Sequence, residues 1–191
     1  MLKRSFGAGS EAPPTPAQAA GREIINPVSG ERIVIRQSGE QTGGALLAFD
    51  LYLPPGGHVP AAHTHPEQEE RFTVISGRMR FRLGWRSLSA GPGESVAISR
   101  GVAHWFSNPG PEPAHAYVET RPALRMEELF VSTEELGLAA RARGAHLPAP
   151  PDLARLLLRF QREVAVPYAP ASLSRAALTT LAWLTRRKTR A

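Results

Sequence analysis

Short runs of alternating apolar and polar residues dominate the chain from Arg22 to Arg121 and predict strands that each bury one face. The run that contains Met79, Phe81 and Leu83 shows this most clearly, with these three predicted to point inward and the intervening arginines outward. Another run, residues 47–53, places four apolar side chains on one face: Leu47, Phe49, Leu51 and Leu53. Turns rich in glycine and proline separate about eight to ten such strands, which favours an all-β sandwich or barrel.

Beyond residue 121 the apolar residues recur at helical spacing, and three helices are predicted. The first covers residues 126–138, and the second runs from a cap at Asp152 to about Val164. The third is marked by one stripe: Leu173, Ala177, Leu181 and Leu184. We expect these helices to pack on the outer face of the barrel or on a partner subunit. The chain is thus divided into a disordered arm (1–20), a β-barrel domain (21–122) and a helical extension (123–191).

Composition limits the chemistry that the chain can carry. Its 191 residues suit one domain with an appended element, and the absence of cysteine leaves His, Asp and Glu as metal ligands. No apolar run approaches the roughly 18 residues of a membrane span, and the lack of cysteine fits the cytoplasm, where we expect the protein. The net charge of +6 belongs to the C-terminal part, above all to Arg186, Arg187, Lys188 and Arg190. We interpret this tail as a solvated helix end and expect no nucleic-acid partner, because no basic groove interleaved with aromatic residues accompanies it.

Two segments place histidine, glutamate and glycine at regular spacings. The first reads G-x5-H-x-H-x4-E-x6-G and consists of Gly57, His63, His65, Glu70 and Gly77. The second reads G-x5-S-x-G-x2-H-x3-N and consists of Gly93, Ser99, Gly101, His104 and Asn108. Only residues 78–92 separate the two segments.

These segments resemble the two-motif signature of the cupin superfamily, G-x5-H-x-H-x3,4-E-x6-G and G-x5-P-x-G-x2-H-x3-N, and the short interval is similar to that of single-domain bacterial members. The resemblance implies a jelly-roll-like β-barrel that holds one divalent metal ion on four residues: His63, His65, Glu70 and His104. Ser99 departs from the signature, which has proline there. Because that proline shapes a turn and binds no metal, the departure weakens the turn prediction more than the metal prediction.

Strand geometry supports the same ligand set. Alternate residues of a strand share a face, so His63 and His65 project the same way. Glu70 shares its face with apolar residues, a costly position for a carboxylate unless a cation compensates it, and His104 is expected on a later strand beside the first motif. Glu69 stays open as the alternative carboxylate, because the signature tolerates three intervening residues. Three nitrogens and one carboxylate accept Fe, Mn, Ni, Zn, Cu or Co and leave about two coordination positions open on an octahedral ion.

The predicted site favours a metal-dependent enzyme of the dioxygenase, isomerase or cyclase type that acts on a small, partly apolar substrate inside the barrel. The predicted lining of this substrate pocket is Tyr52, Phe72, Val74, Met79, Phe81 and Phe106. The alternative is a non-catalytic cupin that binds or senses a small molecule and whose C-terminal helices contact a partner. A homodimer is expected, because an exposed strand edge or an apolar helix stripe would otherwise stay uncovered. His58 is assigned to a surface turn, and His115 receives no role.

Overall fold

The computed structural model describes residues 21–168 and 170–184, which form nine strands followed by three helices. The strands are β1 (Glu23–Ile25), β2 (Arg32–Gln37), β3 (Leu47–Leu53), β4 (Glu69–Ser76), β5 (Met79–Leu83), β6 (Arg86–Ala90), β7 (Ser95–Ile98), β8 (His104–Ser107) and β9 (Ala114–Arg121). The helices are α1 (Met126–Ala142), α2 (Pro150–Arg159) and α3 (Ala171–Leu184). None of these three helices combines the length and the apolar character that a membrane crossing requires. The predicted arm (1–20) and the basic residues 186–190 lie outside the described residues.

The strands form two antiparallel sheets that face each other. The larger sheet has the order β1-β2-β3-β9-β4-β7, and the smaller one has the order β6-β5-β8. Phe72 of β4 lies between the sheets, with its ring centroid 5.2 Å from that of Phe81 and 5.1 Å from that of Phe106 on the smaller sheet. These aromatic contacts join the two inner faces into one apolar core. The prediction of an all-β, jelly-roll-like fold with a C-terminal helical extension is confirmed.

Burial along the strands follows the predicted alternation in β5 and departs from it in β3. The three apolar residues of β5 are buried and the arginines between them are exposed, as predicted. In β3 both faces are covered, because Asp50 is buried opposite the apolar face. Asp50 is ion-paired with Arg36 and hydrogen-bonded to His115 on the outer face of the larger sheet. This polar cluster therefore covers a face that simple alternation leaves to solvent.

The segment from Gly57 to His65 runs alongside β8 and extends the smaller sheet. Val59 donates its backbone N–H to the carbonyl oxygen of Phe106 over 3.1 Å. His63 and His104 exchange two backbone hydrogen bonds of 3.0 and 2.8 Å. This antiparallel pairing places the first motif directly beside the second, although about 40 residues separate the two histidines along the chain.

The helical extension packs on the barrel. The ring of Phe130 in α1 lies edge-on to that of Phe49, with centroids 5.1 Å apart, and α3 packs on α2. Helix α2 begins with Pro150, whose missing N–H is tolerated in a first helical turn. The prediction that Asp152 caps this helix is therefore wrong: Asp152 lies inside the first turn and is ion-paired with Arg155.

Helix α2 ends at Arg159, about five residues before the predicted end at Val164. Residues 160–166, the strap, turn away from the helix and pass beside the first motif. Thr64 and Ala165 exchange backbone hydrogen bonds of 3.1 and 3.0 Å. Apolar spacing extended the helix prediction too far because Phe160, at a helical position, is buried as part of the strap.

Candidate metal centre

Four side chains from three parts of the chain converge between the sheets. His63 and His65 come from the segment that pairs with β8, Glu70 is the second residue of β4, and His104 is the first residue of β8. One nitrogen or oxygen atom from each residue lies within 4.8 Å of the other three atoms. His65, Glu70 and His104 are buried and His63 is half-buried, so the cluster meets solvent on the His63 side.

The atoms that face the centre of this cluster lack hydrogen-bonding partners. The Nε2 atoms of His65 and His104 lie 3.2 and 3.3 Å from Oε2 of Glu70. All three atoms are fully buried, and none has a hydrogen-bonding partner within the part of the chain that the structure describes. An unpaired buried polar atom costs about 1–3 kcal/mol, and three at one point are rare unless another group joins them.

Each of the three histidines is held from behind through its other ring nitrogen. Nδ1 of His63 donates to the carbonyl oxygen of Ala61 over 3.0 Å, and Nδ1 of His104 donates to that of Val102 over 2.9 Å. Nδ1 of His65 donates to the carbonyl oxygen of Glu163. A carbonyl can only accept, so the proton is on Nδ1 and the Nε2 lone pairs are directed to the centre. Metal-binding histidines commonly have this second hydrogen bond.

The charge states of the cluster suit a cation. Burial, with the neighbouring His104 and His65, lowers the pKa of His63 to about 3 and keeps this ring neutral. Burial pushes the pKa of Glu70 upward, but His65 and His104 outweigh it and hold that pKa well below its usual value. Burial lowers the pKa of His65, but the charge of Glu70 outweighs it and raises that pKa. Both opposing shifts come from the attraction between His65 and Glu70, so the site favours positive charge beside this carboxylate, which a metal cation at the centre would supply.

The four residues could hold one divalent metal ion. Atoms bound at about 2.0–2.2 Å to a common ion are at most about 4.4 Å apart, so the observed cluster needs adjustments of only a few tenths of an ångström. Nitrogen and carboxylate donors together suit first-row transition metals. Glu69, the alternative ligand, lies on the exposed face of β4 and outside the cluster.

The turn before His104 forms without the proline of the signature. Val102 donates its N–H to the carbonyl oxygen of Ser99 over 3.2 Å, and Gly101 has a φ of 72°, which favours glycine. Gly101 also donates its N–H to the carbonyl oxygen of His65 over 2.8 Å. The turn thus connects the backbone of His65 to the residues that lead into His104. Serine at position 99 leaves both of these backbone hydrogen bonds in place.

Five of the six residues predicted to line a substrate pocket lie in the buried core: Phe72, Val74, Met79, Phe81 and Phe106. Their side chains pack against one another, and the three phenylalanine rings fill the space between the sheets. Tyr52 is placed differently, because it has the opposite parity to Leu51 and Leu53. Its ring stacks on His115 at 4.3 Å on the outer face of the larger sheet, under the guanidinium of Arg32. This placement removes Tyr52 from the interior.

Two residues near the cluster were missed by the sequence analysis. Glu31 is buried and shares the parity of Ile33 and Ile35, a signal that could have revealed its inward position. Its Oε2 accepts a hydrogen bond of 2.8 Å from the Ser29 hydroxyl. Burial raises the pKa of Glu31 to about 6; the Ser29 hydrogen bond opposes this increase and the charge of Glu70 adds to it. The sequence contains no sign that Glu163 contacts His65, because the contact is made by its backbone carbonyl group, which every residue has.

A two-sheet β-sandwich with three histidines and one glutamate converging between its sheets is the arrangement of a cupin. Residues 49–119 match the cupin domain family, so the β-sandwich of this chain contains a cupin domain.

Known relatives resemble parts of the chain. A germin-like protein from Oryza sativa subsp. japonica is 39% identical over 79 residues, which cover 39% of this chain and 33% of the rice protein. The chain thus matches about a third of that relative's length.

Among solved structures, a predicted oxalate decarboxylase from Thermotoga maritima superposes with a TM-score of 0.50 at 18% identity, over 56% of this chain and 96% of that one. A sugar phosphate isomerase of the cupin superfamily from Silicibacter pomeroyi has a TM-score of 0.47 at 21% identity, over 53% of this chain and 71% of that one. At these identities the likeness concerns the fold alone.

Proposed function

We propose that this chain is a metal-dependent enzyme that binds one divalent ion on His63, His65, Glu70 and His104 and acts on a small organic substrate. The proposal depends on the convergence of three buried, unpartnered atoms, which are Nε2 of two histidines and Oε2 of Glu70. The two imidazole rings are already oriented by the hydrogen bonds of their Nδ1 atoms. When bound, such an ion polarises a carbonyl or hydroxyl oxygen of a substrate. The donor set does not choose among Fe, Mn, Ni, Zn, Cu and Co.

The substrate is proposed to approach from the His63 side. The apolar residues between the sheets are packed against one another, whereas His63 is the partly exposed member of the cluster. A small molecule with one oxygen function and one apolar edge suits this position, because the oxygen reaches the centre while the apolar edge meets the packed aromatic core.

Glu31 is proposed as the group that accepts a proton from the substrate. It is a second inward-facing carboxyl group, bonded to the Ser29 hydroxyl and within electrostatic range of Glu70. A carboxyl group whose pKa is raised to about 6 is a better base near neutral pH than an ordinary glutamate. Proton transfer next to a polarised oxygen is the chemistry of isomerases and cyclases, and we therefore favour these reactions over the dioxygenase type.

Metal content and proton exchange test the proposal together. Elemental analysis of the purified full-length protein is expected to give one metal ion per chain, which is lost in His104→Ala. Small carbonyl compounds, screened in D2O by NMR, are expected to incorporate deuterium next to the carbonyl in the presence of the wild-type protein. Glu31→Gln is expected to keep the metal and lose the exchange. Absence of metal from the wild type after exposure to each candidate ion would contradict the site, and oxygen consumption without exchange would favour the dioxygenase type.

The alternative of a non-catalytic sensor is supported by one contact. The backbone of Glu163, in the C-terminal extension, holds His65, so a ligand at the centre is connected to the helices that follow the barrel. A sensor is expected to bind a small molecule at the loaded site without turnover and to change the protection of α2 and α3 in hydrogen exchange. An enzyme is expected to consume its substrate with little change in those helices.

A further inference from the structure

We propose that the strap, residues 160–166, is a positioning element that holds His65 in its metal-binding orientation, so that the C-terminal extension controls metal affinity. This inference rests on the proposed metal site. It assigns to the extension a role inside the cupin centre, although the signature motifs end at Asn108.

His65 differs from the other two histidines in where its support comes from. The carbonyl groups that hold His63 and His104 belong to Ala61 and Val102, each two residues earlier in the same segment. The carbonyl that holds His65 belongs to Glu163, which lies 98 residues later in the chain. The first two supports form wherever the local segment forms, whereas the third exists only when the strap is docked.

The strap reaches His65 because its backbone pairs with the neighbouring residue. Thr64 and Ala165 exchange two hydrogen bonds of 3.1 and 3.0 Å, and the Thr64 hydroxyl lies 3.4 Å from the same carbonyl oxygen of Ala165. These bonds form a short two-stranded contact and determine the distance between the Glu163 carbonyl and the His65 ring.

Buried contacts anchor the start of the strap. Phe160 is fully buried, and the guanidinium groups of Arg125 and Arg159 lie 5.1 and 5.0 Å from its ring centroid. The buried carboxylate of Glu163 accepts the backbone N–H of Arg125 over 3.1 Å at the start of α1. Glu163 therefore connects two parts of the chain: its side chain bonds the start of α1, and its backbone carbonyl bonds His65.

An exposed ion pair fastens the outer side of the strap. The Arg162 guanidinium contacts both carboxylate oxygens of Glu67 at 2.9 and 2.6 Å, and Glu67 lies two residues after His65. Exposed pairs contribute little to overall stability, but a two-point pair beside the Thr64–Ala165 contact restricts how the strap can move.

The first test uses the full chain and Co²⁺ as a coloured probe. Ala165→Pro removes the N–H that bonds Thr64 and leaves every candidate ligand in place, whereas Ala165→Ser keeps that N–H and is the matched control. Loss of a supporting hydrogen bond typically weakens metal binding about 10–100-fold. We expect Ala165→Pro to bind Co²⁺ at least about tenfold more weakly, with a shifted visible spectrum, and Ala165→Ser to stay within about twofold of the wild type. Circular dichroism checks that both variants are folded.

A charge exchange tests the same idea should Ala165→Pro fail to fold. Glu67→Arg and Arg162→Glu each break the ion pair, and we expect each to weaken Co²⁺ binding about two- to fivefold, while the double variant recovers most of the loss. A direct effect of charge on the ion would instead weaken binding in Glu67→Arg and strengthen it in Arg162→Glu.

The outcomes separate this inference from the proposed metal site. Failure of the wild type to bind Co²⁺ or any of the other candidate ions would contradict the proposed metal site itself. A folded Ala165→Pro variant that binds Co²⁺ as tightly as the wild type, with the same visible spectrum, would overturn the role of the strap and leave the proposed metal site intact. Opposite effects of the two charge variants would also overturn it.

Discussion

Replacing Glu70 by glutamine tests the metal centre with the smallest change in shape. Glutamine keeps the size of the side chain and removes the charge that lies 3.2 and 3.3 Å from the two histidine Nε2 atoms. Because this carboxylate is buried and its charge would be the only negative one among the four donors, we expect the variant to fold but to bind divalent metal poorly.

The size of the effect follows from linkage between binding and folding. At a free metal concentration of about 100 times Kd, binding raises the free energy of unfolding of the wild type by about 2.7 kcal/mol. For a chain of this length that is an increase in Tm of about 5–11 °C. Removing one charge of a buried ionic contact costs about 3–5 kcal/mol, which weakens affinity more than about 100-fold. At the same metal concentration the variant then gains at most about 0.4 kcal/mol, or about 1–2 °C.

Differential scanning calorimetry with and without Zn²⁺, after removal of metal by a chelator, measures both shifts. Glu69→Gln is the matched control, since it removes the same charge from the next residue of β4 on the exposed face. We expect Glu69→Gln to gain as much stability from Zn²⁺ as the wild type does. An equal gain in Glu70→Gln, or loss of the gain in Glu69→Gln instead, would refute the assignment of the carboxylate ligand.

Four further predictions concern other parts of the molecule. If Glu31 is the proton acceptor, the rate of deuterium exchange should rise with pH through about 6, because the active form is deprotonated, and Glu31→Gln should lose this dependence while its metal content stays unchanged. Burial favours a raised pKa for Asp50, but hydrogen bonds and charges from His115 and Arg36 outweigh it and lower that pKa. The stability that this group contributes is therefore present above its unfolded pKa and is lost as pH falls through its folded pKa. In Asp50→Asn, the free energy of unfolding measured with urea should fall less steeply at acid pH than it does in the wild type. Asn108 is buried and its side-chain amide contacts the carbonyl groups of Leu53, Pro54 and Glu112, so Asn108→Ala should lower the free energy of unfolding by about 2–4 kcal/mol in urea titrations while changing Co²⁺ affinity less than about threefold. We also propose a homodimer, because β1 forms an open edge of the larger sheet and Ile25 on it is exposed; light scattering should give twice the mass of the chain, and a monomer at micromolar concentration would contradict this.

The candidate ligands could be predicted because their arrangement depends on local rules. Two histidines separated by one residue share a face of a strand, and the spacing to Glu70 carries the chain into the next strand on its inward parity. The same parity places Glu31 inside, but Glu31 lies in a polar turn directly before β2, where a charged residue is normally expected on the surface.

Long-range pairing accounts for most of what the sequence analysis missed. Tyr52 and His115 lie on neighbouring strands whose register becomes known only from the folded sheet, and their stacking on the outer face follows from that register. The end of α2 and the hydrogen bond from His65 to Glu163 depend on backbone groups, which every residue carries, so no side-chain pattern marks them.

The separation of 98 residues between His65 and the carbonyl that holds it also has a consequence for biosynthesis. A ribosome adds about 5–20 residues per second, so the strap is made about 5–20 s after the histidine it supports, and the sandwich can fold before the strap has left the exit tunnel. If the strap holds His65 as proposed, full metal affinity is acquired only after the strap has emerged from the ribosome, and the nascent chain passes through a stage in which its barrel is complete while one imidazole still lacks support.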